Sequence, residues 1–246
     1  MAAIERSVMG SLTFRDIAGY IVPGTVFLAV LLEFLSGFVG LAVSMWDAGL
    51  GAVLLYLLAS YVAGHLIRVL EWVIQRGGTG TQRTELVTRV YEDETSVFTP
   101  EFKARLAASV EKTFGLPLSN PDVFPLCRAY TVQHGTSHHY ERKLALGHLL
   151  SGLHTVAWIG LAFSLLTILK HLLLLLLPMF NVIIPVTAFL DFDEAHLVVS
   201  VVLLIVFGLL VRPLRSRARH YVKEEVESVY YEFYAVCSGQ SQGSAE

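Results

Sequence analysis

Residues 197–219 read LVVSVVLLIVFGLLVRPLRSRAR. The first fifteen carry no charge, and the eight that follow hold four arginines. An aliphatic run of this kind is solvated by lipid, and the basic run behind it stays in water. Three longer windows share the character. They are Tyr20–Trp46, interrupted only by Glu33, then Leu50–Ile74, then Leu144 to Leu169, which stays apolar to Leu177. A bilayer core of about 30 Å takes about 20 apolar residues as a helix. Four spans of a polytopic helical membrane protein are expected, because alternating barrel strands are absent and backbone groups in lipid need helices or closed barrels.

The bulk composition agrees. The chain has 246 residues, 54% hydrophobic and 16% charged, against about 25% charged in an average soluble domain. A net charge of −3 argues against a nucleic-acid partner. The two cysteines, Cys127 and Cys237, lie far apart in sequence and give no disulfide framework. No cleavable signal peptide is legible at the N-terminus.

Orientation follows from the basic residues. Placing Arg6, Arg15, the ten Lys/Arg from Arg68 to Lys143 and the five from Arg212 to Lys223 on one side makes seventeen of eighteen cytoplasmic, leaving Lys170. A fifth span at 171–190 would export the cluster RPLRSRAR. The expectation is therefore an all-α chain in the cell inner membrane with both termini cytoplasmic. Its parts are an N-terminus at 1–19, a transmembrane hairpin at 20–74, a small helical cytoplasmic cap at 75–143 and spans three and four at 144–211. The latter pair encloses an outer hairpin at 171–194, kinked at Pro178 and Pro185. An amphipathic C-terminal helix at 212–237 and a disordered tail at 238–246 complete the chain.

Within the insert, RGGTGTQ (76–82) reads as a flexible exit loop, since the phosphate-loop spacing with its Lys-Ser/Thr is missing. TPEFKARLAASVEKTFG is a marked helix: Thr99 caps it, Pro100 fits the first turn and Gly115 stops it. Phe102, Leu106 and Val110 make its apolar stripe. A second helix runs through NPDVFPLCRAYTVQ, and Ser137 can cap a third that continues into span three. His134 and His138 fall around a turn and read as surface residues. In the tail, Val222, Val226, Val229, Phe233 and Val236 are spaced 4, 3, 4, 3, a short coiled-coil-like seam. It packs on the insert of the same chain or, alternatively, on a second copy or a partner.

Ionisable residues inside spans are functional candidates. His65 and His154 are expected about 13 and 15 Å from the inner surface at 1.5 Å per residue, with Glu33 near mid-bilayer. The three form a candidate intramembrane polar cluster. Its reading as an interhelical clasp is preferred, with a proton or ion track and a catalytic or metal role as alternatives. Gly64, beside His65, admits a close helix approach. Pro23 and Gly24 form a helix-entry joint, either a simple turn or a gate.

The segments RDIAGYIVPGTVFL (15–28), YVAGHLI (61–67), FPLCRAY (124–130) and YERKLALGHLL (140–150) resemble a group of bacterial four-span inner-membrane proteins, some found in anti-phage defence loci. The resemblance implies a membrane-perturbing effector or partner subunit and no catalytic residue. The expected function is a non-enzymatic, homo-oligomeric protein whose partners are the lipid bilayer and a cytoplasmic protein, with no cofactor and no metal. The alternatives are a small ion channel or transporter using Glu33, His65 and His154, and a lipid-acting enzyme, which no H-E-x-x-H or G-x-S-x-G spacing supports.

Overall fold

The structure is a computed structural model, described over residues 14–39, 50–74, 87, 98–134, 138–176 and 194–243. Six helices account for it. Helix α1 begins at Phe14–Asp16, passes through a π-helical turn at Ile17–Ile21 and continues as Val22–Val39. Then come α2 (Leu50–Ile74), α3 (Pro100–Phe114), α4 (Val123–Gln133), α5 (His138–Leu176) and α6 (Glu194–Gly243). Among the described residues there is no strand.

Four of these helices are long and apolar enough to cross a membrane. Their best 18-residue windows have mean hydropathies of 2.0, 1.8, 2.2 and 2.7 for α1, α2, α5 and α6. An 18-residue window extends about 27 Å. No more than 22% of any window is buried within the protein. Leu55, Leu58 and Leu209 are 68%, 61% and 71% exposed. Such surface has no stable place in water, and together with the lengths it makes the chain a membrane-spanning protein.

Three boundaries differ from the sequence expectation. Helix α5 continues to Leu176, past residue 171 where the outer hairpin was expected to begin. Helix α1 starts six residues before Tyr20. The last span and the amphipathic tail are one helix, α6, which runs through Pro213 and continues to Gly243, into the stretch expected to be disordered. Pro213 has no N–H to offer the Leu209 carbonyl, yet the helix continues on both sides of it. The loop 76–82, Ser137, and the hairpin prolines Pro178 and Pro185 lie outside the described residues, as does span one beyond Val39.

The chain divides into two compact units: residues 1–71 with 148–217, and residues 72–147 with 218–246. The first unit is built by close helix crossings at small residues. A Cβ on Gly24 would overlap the Ser60 carbonyl, and one on Gly64 the Tyr20 carbonyl. At Gly152 it would fall 2.9 Å from Pro23, and at Gly160 it would overlap the Phe207 ring. Ser60 and Gly64 thus form a small-xxx-small pair on α2 facing Gly24 of α1. The contacts fix direction. Helix α1 is antiparallel to α2, with Tyr20 beside Gly64 and Tyr56 donating to the Thr25 carbonyl at 3.0 Å. It is parallel to α5, with Pro23 beside Gly152 and Phe34 stacked on Phe163 at 4.2 Å. Helix α6 runs against α1 and α5, through His196 at Gly37 and Phe207 at Gly160. Val30, Ile67, Val156, Ala157 and Phe207 form the common core.

The second unit is closed by α3, α4 and the adjoining stretches of α5 and α6. Thr99 accepts a hydrogen bond from the Phe102 amide at 3.3 Å, Pro100 opens α3, and Gly115 ends it at φ 68°. Leu106 and Val110 are fully buried, with Phe102 packed beside them. The tail stripe lies on this face: Val226, Val229 and Phe233 share a core with Leu106, Val110 and Cys127. Val222 is buried beside Gly147, and Val236 is half-buried. The stripe is therefore covered by its own chain. Glu232 accepts from the Tyr140 amide at 3.2 Å, and Lys143 pairs with Glu224 at 3.6 Å. Burial, reinforced by the nearby Cys237, pushes the Cys127 thiol up to about 12. It stays a neutral core residue, without thiolate reactivity.

Candidate functional site

The buried face of α2 is marked by Ser60, Gly64, Ile67 and Glu71, spaced 4, 3, 4. Small residues bring α1 in close, and the same spacing carries a carboxylate into the bundle. Glu71 is only 2% exposed. Its Oε2 accepts from Arg68 Nη1 at 2.6 Å, one turn back on the same helix. Its Oε1 accepts from Ser151 Oγ of α5 at 2.5 Å. A buried carboxylate is tolerated only when paired and hydrogen-bonded, and this one has both oxygens engaged. Arg68 Nε and Nη2 are buried and have no hydrogen-bond partner among the described residues.

A second polar group gathers at the opposite end of the same bundle. His196, near the start of α6, places Nδ1 3.0 Å from Glu33 Oε1 and Nε2 3.3 Å from Ser36 Oγ, both on α1. The two ring nitrogens thus face two different oxygens of α1, and the tautomer sets which nitrogen donates. Gly37 makes room, since a Cβ there would lie 3.2 Å from the His196 ring. Lys170 of α5 donates to the carbonyls of Gly37 and Phe38 at 3.0 and 2.9 Å. These belong to the last turn of α1, the negative end of its dipole, where a cation is favoured.

Between the two ends α5 buries Ser151, His154, Thr155, Ser164, Thr167 and His171. Much of this seam turns back on its own helix. Thr155 donates to the Ser151 carbonyl at 3.2 Å and Thr167 to the Phe163 carbonyl at 3.1 Å. His171 Nδ1 lies 2.8 Å from the Thr167 carbonyl. Bonds of this i−4 kind satisfy a hydroxyl inside an apolar bundle. Among the described residues no three of His, Cys, Asp or Glu converge on a metal position.

The structure does not gather Glu33, His65 and His154. Glu33 goes to His196. His154 is buried on α5. His65 is exposed, its ring stacked on Tyr20 at 4.1 Å and met edge-on by Tyr61 at 4.7 Å. Successive helix residues are about 100° apart around the axis, so with Gly64 pressed against α1, His65 is turned outward. Depth alone did not decide the cluster; azimuth did. Pro23 and Gly24 are both buried, Pro23 against Gly152 and Gly24 against Ser60. Sequence reasoning missed Glu71, Ser151, Lys170 and His196. Glu71 could have been found by extending the 60–64–67 spacing by four. Nothing local marks His196 as the partner of Glu33, 163 residues earlier.

Compared with protein-family models, curated proteins and solved structures, the chain matches none.

Proposed function

We propose that this chain is a non-enzymatic inner-membrane protein. Its four long helices lie in the bilayer, both termini lie in the cytoplasm, and its second unit receives a protein partner there. The observation that carries the reading is the exposed apolar surface of four antiparallel and parallel helices, crossed at glycines, with its charge gathered at one end. In the first unit the described basic residues are Arg15, Arg68, Lys170, Arg212, Arg215 and Arg217. All but Lys170 sit at the end where α1 begins, as the positive-inside rule requires of a cytoplasmic face. Glu71, Ser151, Thr155, Thr167 and Lys170 are engaged in structural hydrogen bonds, which supports a packing and rearranging role rather than catalysis.

Parts of three of the four segments carrying the resemblance to defence-associated four-span proteins meet within this unit, where Tyr20, Pro23, Gly24, Gly64 and His148 sit at the α1–α2–α5 crossing; FPLCRAY belongs to the second unit. They support a role in which a triggered oligomer perturbs the membrane. Inducible expression with a membrane-potential dye tests it, together with alkaline extraction of membranes. Depolarisation on phage challenge, in cells carrying the native neighbouring genes, is the expected result. Unchanged potential and growth with and without challenge overturns the effector role, and release into the alkaline supernatant overturns the membrane reading.

A second reading, an ion or proton pathway, is favoured by the partly exposed Glu33–His196 pair, 34% and 25% accessible at the side chain. It requires that Glu33→Gln and His196→Gln abolish flux in proteoliposomes while leaving the fold intact.

A further inference from the structure

Four exposed arginines, from α1 and α6, rim one end of the four-helix unit. Arg15, Arg212, Arg215 and Arg217 are exposed and have no ion-pair or hydrogen-bond partner among the described residues. Arg68 is not part of this exposed set: its Nη1 is held by Glu71 and its Nε and Nη2 are buried. The acids described at this end are Asp16 and Glu71, and both Glu71 oxygens are already taken. The rim thus carries an uncompensated positive charge. Guanidinium groups match phosphate oxygens in two-pronged geometry better than lysine does.

What adjoins the rim decides the ligand. Leu209 and Leu210, within one turn of Arg212, are exposed, as are Leu66 and Val69 near the end of α2. Leu214, between Arg212 and Arg215, packs against the core cluster that also holds Ile67, so this stretch of α6 and the end of α2 share one core. A molecule bound here meets arginines at one end and bare aliphatic helix at the other. A free anion would use only the first surface, and an acidic protein would leave the second uncovered.

We infer that the arginine rim of Arg15, Arg212, Arg215 and Arg217 is a binding site for the phosphate headgroups of anionic phospholipids, with their acyl chains along α2 and α6. This rests on the membrane-spanning reading. Basic residues beside a membrane surface each contribute about fivefold to the affinity for acidic lipid, so removing three weakens it about 100-fold.

The test uses the full chain in neutral detergent. It is titrated separately with phosphatidylglycerol, phosphatidylcholine and inorganic phosphate. Native mass spectrometry counts retained lipid, and circular dichroism follows thermal unfolding. Phosphatidylglycerol is retained and stabilises; phosphatidylcholine and phosphate do neither. In Arg212→Gln/Arg215→Gln/Arg217→Gln the phosphatidylglycerol affinity falls about 100-fold, and in the matching triple Lys variant most of it survives. Added salt weakens the native interaction by screening, a readout that does not depend on the Gln variant folding. Equal retention of phosphatidylcholine, equal stabilisation by phosphate, an unchanged Gln variant or salt-independent binding each overturns the proposal. Failure of the membrane reading shows separately, in the alkaline extraction.

Discussion

The α1–α2 crossing sets a quantitative trap for a single methyl group. A Cβ added at Gly64 would overlap the Tyr20 carbonyl oxygen and stand 2.6 Å from its carbon. A Cβ added at Gly24 would overlap the Ser60 oxygen and stand 2.8 Å from the Gly64 nitrogen. Carbon atoms in contact prefer about 3.5–4.0 Å, so each alanine must move backbone by about 1 Å. The atoms opposite are main chain inside helices and cannot swing aside as a side-chain tip would. Overpacking of this kind costs about 1–3 kcal/mol, and the upper end applies here. Gly24 and Gly64 face the same gap, so the second substitution adds less once the first has parted the helices. Gly64→Ala and Gly24→Ala should each lose about 2–3 kcal/mol, and the double variant clearly less than their sum. Gly51 and Gly208 are the controls, because a Cβ on either meets nothing within 4 Å; alanine there should be neutral or slightly stabilising through helix propensity. Reversible unfolding of purified protein in mixed micelles, followed by circular dichroism, measures all five. Equal midpoints for Gly64→Ala, Gly51→Ala and the native chain would refute the crossing.

Two further outcomes follow from the same structure. Glu71→Gln leaves the Arg68 charge without its counterion and should cost about 3 kcal/mol, whereas Ser151→Ala, which removes one interhelical hydrogen bond, should cost about 1 kcal/mol. Arg68→Gln/Glu71→Gln should recover part of the first loss in the same micelle assay, and no recovery would argue against the pair. The Cys127 thiol, held neutral by burial, makes stability fall with rising pH. The unfolded thiol ionises from about pH 9 while the folded one waits until about 12. At pH 10 the difference is about 1.4 kcal/mol, present below pH 9 and lost above it. Cys127→Ala should flatten that limb of a stability-against-pH curve, and an unchanged slope would remove the thiol as its cause.

Much of this architecture is written locally. Thr99, Pro100 and Gly115 bound α3 because an N-cap, a first-turn proline and a left-handed stop act within a few residues. The aliphatic windows declare the long helices because composition alone settles their solvent. The tail stripe could be read for its spacing but not for its partner; Leu106 and Cys127 supply the surface through contacts more than a hundred residues away. The polar interior was the least legible part. His65 drew notice as a charge-capable residue in an apolar run, and it points outward. Glu71, near the edge of the same window, is the carboxylate the bundle swallows. One step along a helix changes the direction of a side chain by 100°, and sequence gives depth more readily than direction. Pro213 shows the opposite failure, a residue that reads as a boundary inside a helix that does not end there. The π-helical turn at Ile17–Ile21 has no sequence mark that we can identify.

The hydrogen bond from the Tyr140 amide to Glu232 joins residues 92 positions apart. That amide is in the first turn of α5 and has no acceptor within its own helix. A ribosome makes it long before the glutamate that satisfies it. At about 5–20 residues per second the interval is roughly 5–20 s. Throughout it, the apolar faces of α3 and α4 stand open, because Val226, Val229 and Phe233 are also still unmade. The core of the second unit therefore cannot close until translation is almost finished. A stop between Arg217 and Val226 would leave a product with all four long apolar helices but without the Val226, Val229 and Phe233 side chains that close its second unit.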